Sequence, residues 1–328
     1  VAEKQALDGE LLGLLHGLPF GSKDLESTDG VRTTMGSQLF ADNVPDQDQG
    51  SIAEIRANGG ILIGKTNTPE FGAGANTRNL VFGATGNPFD PEMSCAGSSG
   101  GSAVSLATGM VPLATGSDYG GSLRTPASFC GVVGFRPSPG VVPNELRSVG
   151  LNPFSVLGPM GRTVADAALL LSAMIGDDPR DPFGSGIDPE LAEPLQPADL
   201  ASLRVAISED LGVSPLDNDI RECFRRKIDT IRHIFTDAQD HDPPFDDDLH
   251  RAFEVLRCVN YLSAHGEKVE NHRDLLTPNV VANVDMASNF TMTDVAWAHA
   301  KQTSLYKGYI EMFNEAELLL SPAAAVSP

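Results

Sequence analysis

Glycine is spread so unevenly along this 328-residue chain that it sets the folding problem. Residues 1–190 hold 30 of the 33 glycines, and only Gly212, Gly266 and Gly308 lie beyond them. Glycine tolerates positive φ and lets two backbones meet without a Cβ between them. A segment this rich in it is therefore built from tight turns and close approaches, where sites are commonly made. Charge does not divide the chain in the same way: the first part carries 11 Lys and Arg against 21 Asp and Glu, the second 12 against 23. Parts 1–190 and 191–328 thus differ in backbone demands rather than in electrostatics. Residues 177–197, rich in Asp, Pro and Gly, read as a linker or surface excursion between them.

Within residues 1–190, helical patterns alternate with short apolar runs. Residues 51–58 read as a helix ended by Gly59-Gly60, and 61–64 as a buried strand. Residues 102–108 form a small-residue helix closed by Gly109, and 111–115 and 132–135 read as further strands. This alternation predicts an α/β sheet covered by helices on both faces. Residues 191–328 read as mostly helical. Ile220, Phe224, Ile228, Ile231 and Phe235 recur at helical spacing, and residues 252–262 and 293–313 carry similar stripes, the latter with Thr293 as N-cap. Residues 318–320 look like a strand.

Composition removes several functions. A formal net charge of −21 leaves no basic face to hold a phosphate backbone, which argues against direct nucleic-acid binding. No run approaches the roughly 20 apolar residues of a membrane span. Cys95, Cys130, Cys223 and Cys258 are scattered with no CxxC pair, so they read as reduced thiols and not as a disulfide framework or zinc site. With no signal peptide visible, the cytoplasm is the expected compartment.

Three motifs compete for the chemistry. Gly59-Gly60-Ile61-Leu62-Ile63-Gly64-Lys65-Thr66 fits GxxxxGK[ST], but a phosphate loop needs a strand before it and a helix after it. Here a helix precedes, and the loop interior reads as a strand. Gly97-Ser98-Ser99-Gly100-Gly101 fits GxSxG, which would make Ser99 the nucleophile of an elbow. The preceding Asn87-Pro88-Phe89-Asp90-Pro91-Glu92 carries two prolines and cannot be a central strand. His16 is the one histidine in residues 1–190, so a hydrolase built there needs another base. The third candidate is a constellation: Lys23, Ser98 with Ser99, and Ser122 in Gly116-Ser117-Asp118-Tyr119-Gly120-Gly121-Ser122-Leu123-Arg124-Thr125-Pro126. Burial can bring a lysine low enough to act as a base. A strand leading through a glycine turn into a helix at residues 123–129 could aim the N–H groups of residues 119–122 into one cavity.

These segments resemble the amidase signature family, serine–lysine hydrolases of amides. The resemblance rests on residues 97–102 and 116–126, the lysine block at 18–24, and the GKTN-type strand end at 64–71. It also rests on the NP-aromatic turn at 87–89 and on Gly158-Pro159-Met160-Gly161-Arg162-Thr163-Val164-Ala165-Asp166. It implies a mixed β-sheet core covered by helices on both faces, a Ser122 nucleophile, Ser98 as a bridging serine held by a cis peptide, and Lys23 as the base. It further implies an oxyanion hole from the N–H groups of Tyr119, Gly120, Gly121 and Ser122, with no metal or organic cofactor. Asp118 and Arg124 flank the nucleophile and either contact the substrate directly or brace the oxyanion loop, with bracing the favoured reading. The chain departs from the family at Ser117 and Tyr119, and at Cys95-Ala96, where Pro and Gly are frequent. Family members also extend beyond both of its ends, so the fold is incomplete there or the pocket unusually open.

Three functions follow as expectations. The first is an amidase acting on a small carboxamide or aryl amide, alone or as a homodimer. The second is the glutaminase subunit of a tRNA-dependent amidotransferase, with a partner subunit. The third is a catalytically silent scaffold relative, disfavoured because Lys23, Ser98 and Ser122 are all present.

Overall fold

Alternation along a few short strands decides the architecture. The computed structural model describes residues 2–10, 12–184, 186–188 and 194–328. Packing divides the chain into two units: Val1–Leu195 with Glu267–Val281 and Pro328, and Gln196–Gly266 with Ala282–Ser327. Of the stretch read as a linker, residues 185 and 189–193 lie outside the described residues.

The first unit runs α1 (Ala2–Asp8), β1 (Pro19–Lys23), α2 (Gly50–Ala57), β2 (Ile61–Thr66) and the short pair β3 (Arg78–Asn79) and β4 (Gly83–Ala84). It continues with α3 (Gly100–Ala107), β5 (Leu113–Asp118), α4 (Arg124–Cys130), β6 (Val133–Gly134), β7 (Val156–Gly161) and α5 (Val164–Met174). The main sheet is ordered β2-β1-β5-β7-β6. Strands β2, β1 and β5 are parallel, and β7 is antiparallel to both β5 and β6, so the sheet is mixed as expected.

Leu113 and Ala114 of β5 point to opposite faces. Leu113 joins Phe20, Ile52 and Ile55 of α2, and Leu170 and Met174 of α5, in one core. Ala114 joins Ala103 and Leu106 of α3, Ala127 of α4, and Met160 in the other. Each large apolar side chain buried in this way contributes about 1.5–3 kcal/mol, so both faces need their helices. Strand β2 departs from expectation. Ile61 and Ile63 are 41% and 57% exposed, because β2 ends the sheet among the described residues and one of its faces is open. A short apolar run does not reveal by itself whether one or both faces are covered.

The second unit holds β8 (Arg204–Ile207), α6 (Asn218–Ile231), β9 (Asp237–Asp240) and, beyond them, α7 (Asp248–His272), α8 (Pro278–Ala287), α9 (Met292–Met312) and β10 (Leu318–Leu320). Residues 267–281 group with the first unit, so α7 and α8 contribute to both. Its three strands form a parallel sheet, β10-β8-β9. Phe224, Ile228 and Ile231 of α6 pack on Val205 and Ile207, as the helical stripe required. The cap of α9 is Thr291, not Thr293: its hydroxyl accepts from Asp294 N, and the Asp294 carboxylate accepts from Thr291 N. Either threonine lies at the start of the stripe, but only the earlier one has an acid three residues on. No helix among the described residues is long and apolar enough to cross a membrane.

Candidate active site

Lys23 ends β1, where its backbone N–H donates to Thr115 Oγ1 of β5 at 3.1 Å. Ser98 follows a cis Gly97–Ser98 peptide at the mouth of α3. The turn is held by glycine for a spatial reason: a Cβ on Gly101 would lie 2.3 Å from Asn67 N. Ser122 stands in the turn between β5 and α4, and its carbonyl accepts from Ser99 N at 3.2 Å. The backbone thus ties the Ser122 turn to the segment that carries Ser98.

The Lys23 side chain is fully buried. Its Nζ lies 2.7 Å from Ser98 Oγ, 2.8 Å from Ser99 Oγ and 2.9 Å from Ser117 Oγ. Burial drives its pKa down from 10.5 to about 7, while the Glu26 and Asp118 carboxylates pull it back up. A neutral amine has two N–H donors and one lone pair, so among three hydroxyls one must donate to the nitrogen. That is the direction a base needs. The structure therefore brings Lys23 and Ser98 into direct contact. Ser122 is half-buried, and its hydroxyl makes no hydrogen bond among the described residues, so the Ser98–Ser122 link of the relay is not closed here.

Asp118 organises the turn. It is buried at the end of β5, and its Oδ1 accepts from Gly121 N at 2.8 Å, Arg124 Nη2 at 3.1 Å and Arg136 Nη1 at 3.0 Å. Oδ2 accepts from Leu123 N and Arg124 Nε, each at 3.1 Å. Burial raises this carboxyl, but the hydrogen bond and charge of Arg124, the Gly121 N–H and the Arg136 charge outweigh it and hold the pKa at about 2. Asp118 and Arg124 thus tie together the turn between β5 and α4. One expectation needs amending: the Gly121 N–H is committed to Asp118 and is not free for an oxyanion. The N–H groups of Gly120 and Ser122 make no hydrogen bond among the described residues. Tyr119, beside them, packs its ring on Phe154 with centroids 5.2 Å apart.

The rival motifs lose their context. Lys65 sits in β2 with its Nζ against Ser22, Thr28 and the Glu26 carbonyl, so it cradles no phosphate. Ser99 is buried against Lys23, and His16 stands at the far end of β1, with Leu12 N donating to its Nδ1. Arg136, Thr115 and Glu26 were not singled out by the sequence, and Ser117 stood out only as a departure from the family. Glu26 lies three residues past Lys23, a spacing with no meaning until the turn after β1 folds back. Arg136 meets Asp118 only across the sheet. Ala96, which departs from the family's frequent glycine, has φ 57, a left-handed conformation that favours glycine.

A family model described as Amidase matches residues 1–328. The chain belongs to the amidase family. An acylamidase from Rhodococcus erythropolis is 32% identical over 323 residues, covering 98% of this chain and 68% of that protein. One subunit of the glutamyl-tRNA(Gln) amidotransferase of Thermus thermophilus is 42% identical over 237 residues, covering 71% of this chain and 50% of the relative. The structure of a bacterial aryl acylamidase of the amidase signature enzymes superposes with a TM-score of 0.88 at 26% identity, over 100% of this chain and 70% of that one. The chain thus spans about half the length of that amidotransferase subunit.

Proposed function

We propose that the protein hydrolyses a small carboxamide or aryl amide to a carboxylate and ammonia or an amine. Neutral Lys23 accepts a proton from Ser98 as Ser98 accepts one from Ser122, and Ser122 Oγ adds to the amide carbonyl. The oxyanion lies toward the N–H groups of Gly120 and Ser122, with Tyr119 alongside; the Gly121 N–H holds the loop through Asp118. Collapse breaks the C–N bond, the relay returns the proton to the departing nitrogen, and water then cleaves the acyl–Ser122 ester. All of this uses side chains and backbone of the chain itself.

The observation that carries this reading is a fully buried lysine, brought to about pKa 7, with its amine 2.7 Å from Ser98 Oγ beside a cis peptide. The names of the acylamidase and aryl acylamidase relatives favour an amide with an acyl or aryl group, and the four free cysteines fit the cytoplasm. A second reading, ammonia release from glutamine for a partner subunit, is favoured by the 42% identity to an amidotransferase subunit. A panel of alkyl, aryl and glutamine amides, read by amine or ammonia release from the full-length protein, separates them. Turnover of aryl or alkyl amides that Ser122→Ala abolishes supports the first reading. Turnover of glutamine alone supports the second, and undiminished turnover in Ser122→Ala overturns both.

A further inference from the structure

A second buried charge cluster lies next to Lys23 and takes no part in the relay. Ser22 precedes Lys23 in β1, so its side chain points to the opposite sheet face. There Glu26, fully buried, accepts through Oε2 from Ser22 Oγ at 3.0 Å and from Thr115 Oγ1. Thr115 Oγ1 is the same atom that accepts the Lys23 N–H. From the other side, Lys65 Nζ lies 2.9 Å from Ser22 Oγ and 2.8 Å from Thr28 Oγ1, and it also donates to the Glu26 carbonyl. A continuous path therefore runs from the Lys23 backbone through Thr115, Glu26 and Ser22 to Lys65. Glu26 Oε1 is buried without a hydrogen-bond partner. A buried carboxylate satisfied at one oxygen only is costly, so stability alone does not account for it.

We propose that Glu26, with Lys65 as its counter-charge, is a positioning residue for Lys23: through Thr115 it holds the backbone from which the amine projects, and its negative charge acts on that amine. The inference rests on Lys23 serving as the base.

The charges around Lys23 support it. Burial pushes the Glu26 carboxyl up, and the Lys65 charge, the Thr115 and Ser22 hydroxyls and the Lys23 charge oppose that rise. In their charged forms Glu26 and Asp118 are the two carboxylates that pull the Lys23 amine up, Glu26 more strongly. Asp118 is matched by Arg124 and Arg136. Lys65, lowered to about 8 by burial and raised again by Glu26, Asp24 and Asp48, with Arg56 opposing, answers Glu26. From the turn before α3 and from β5, the groups touching the amine are uncharged: the Ser98, Ser99 and Ser117 hydroxyls and, at 3.5 Å, the Ser117 carbonyl. Removing the Glu26 charge therefore leaves burial less opposed, and Lys23 should lose its proton at lower pH.

The test is the initial rate at which a fluorophosphonate labels Ser122 in the full-length protein, followed from pH 5 to 9. Glu26→Gln should move the acid limb of this profile to lower pH. Thr115→Val should lower the plateau about tenfold or more through misplacement of the amine, while Thr115→Ser retains it. Superimposable limbs for wild type and Glu26→Gln, or a Thr115→Val plateau equal to wild type, overturn the proposal. The near-isosteric threonine variants decide the matter if Glu26→Gln does not fold. Lys23→Ala separates the two levels: if it labels as fast as wild type, the base assignment itself fails.

Discussion

Asp118→Asn tests the loop that carries Ser122. The carboxyl stands at about 2 against an ordinary 3.8, a displacement of nearly two units. At ~1.4 kcal/mol per unit, its charged form contributes about 2.5 kcal/mol to the folded state. Because this pKa is depressed, the contribution is fully present above about pH 4 and is lost as the pH falls through about 2. An asparagine also turns an NH2 toward donors: at the Oδ2 position it would face Leu123 N and Arg124 Nε, and at Oδ1 it would face Gly121 N and both arginines. Removing one member of a buried charge contact costs about 3–5 kcal/mol, and Arg124, half exposed, can return to water and bring the loss to the lower end. We expect urea unfolding at pH 7 to show a loss of about 3 kcal/mol, with the gap to wild type narrowing below pH 4. A loss under about 1 kcal/mol, or one that does not change with pH, would refute the reasoning.

The wild-type rate of amide hydrolysis should rise through about pH 7 as Lys23 loses its proton and then level off; a profile flat from pH 5 to 9 would count against an amine base. An ordinary lysine would be neutral in only about three molecules in ten thousand at pH 7, against about half for Lys23, so burial accounts for roughly a thousandfold of the usable base. Ala96→Gly should stabilise the fold by about 0.5–1 kcal/mol in thermal unfolding, since it removes a Cβ from a left-handed backbone. Gly101→Ala should destabilise by about 2 kcal/mol or more and slow phosphonate labelling, because its Cβ would meet Asn67 N at 2.3 Å and push the turn holding Ser98 out of place.

Much of the first unit was legible because its residues obey short-range rules. Gly109 ends α3, Pro126 sits in the first turns of α4, and apolar runs mark β1's neighbours. Lys23, Ser98 and Ser122 were singled out through turn chemistry and the family resemblance, and of the three the structure brings Lys23 and Ser98 into contact. What stayed hidden depends on which strands become neighbours. Strand β9 (Asp237–Asp240) has one apolar residue, Ala238, so no apolar run announces its parallel pairing with β8. Lys65 matched a phosphate motif, but the parallel register that sets it opposite Ser22 turns its amine toward Glu26. Arg136 reaches Asp118 from the chain beyond β6, a meeting no local pattern encodes.

The most direct measurement is peptide mapping by mass spectrometry after treatment of the full-length protein with a serine-directed fluorophosphonate. The adduct is expected on the peptide containing Ser122, absent in Ser122→Ala, and formed far more slowly in Ser98→Ala and Lys23→Ala. An adduct on Ser98 or Ser99, or labelling that survives the loss of Ser122, would contradict the assignment of the nucleophile.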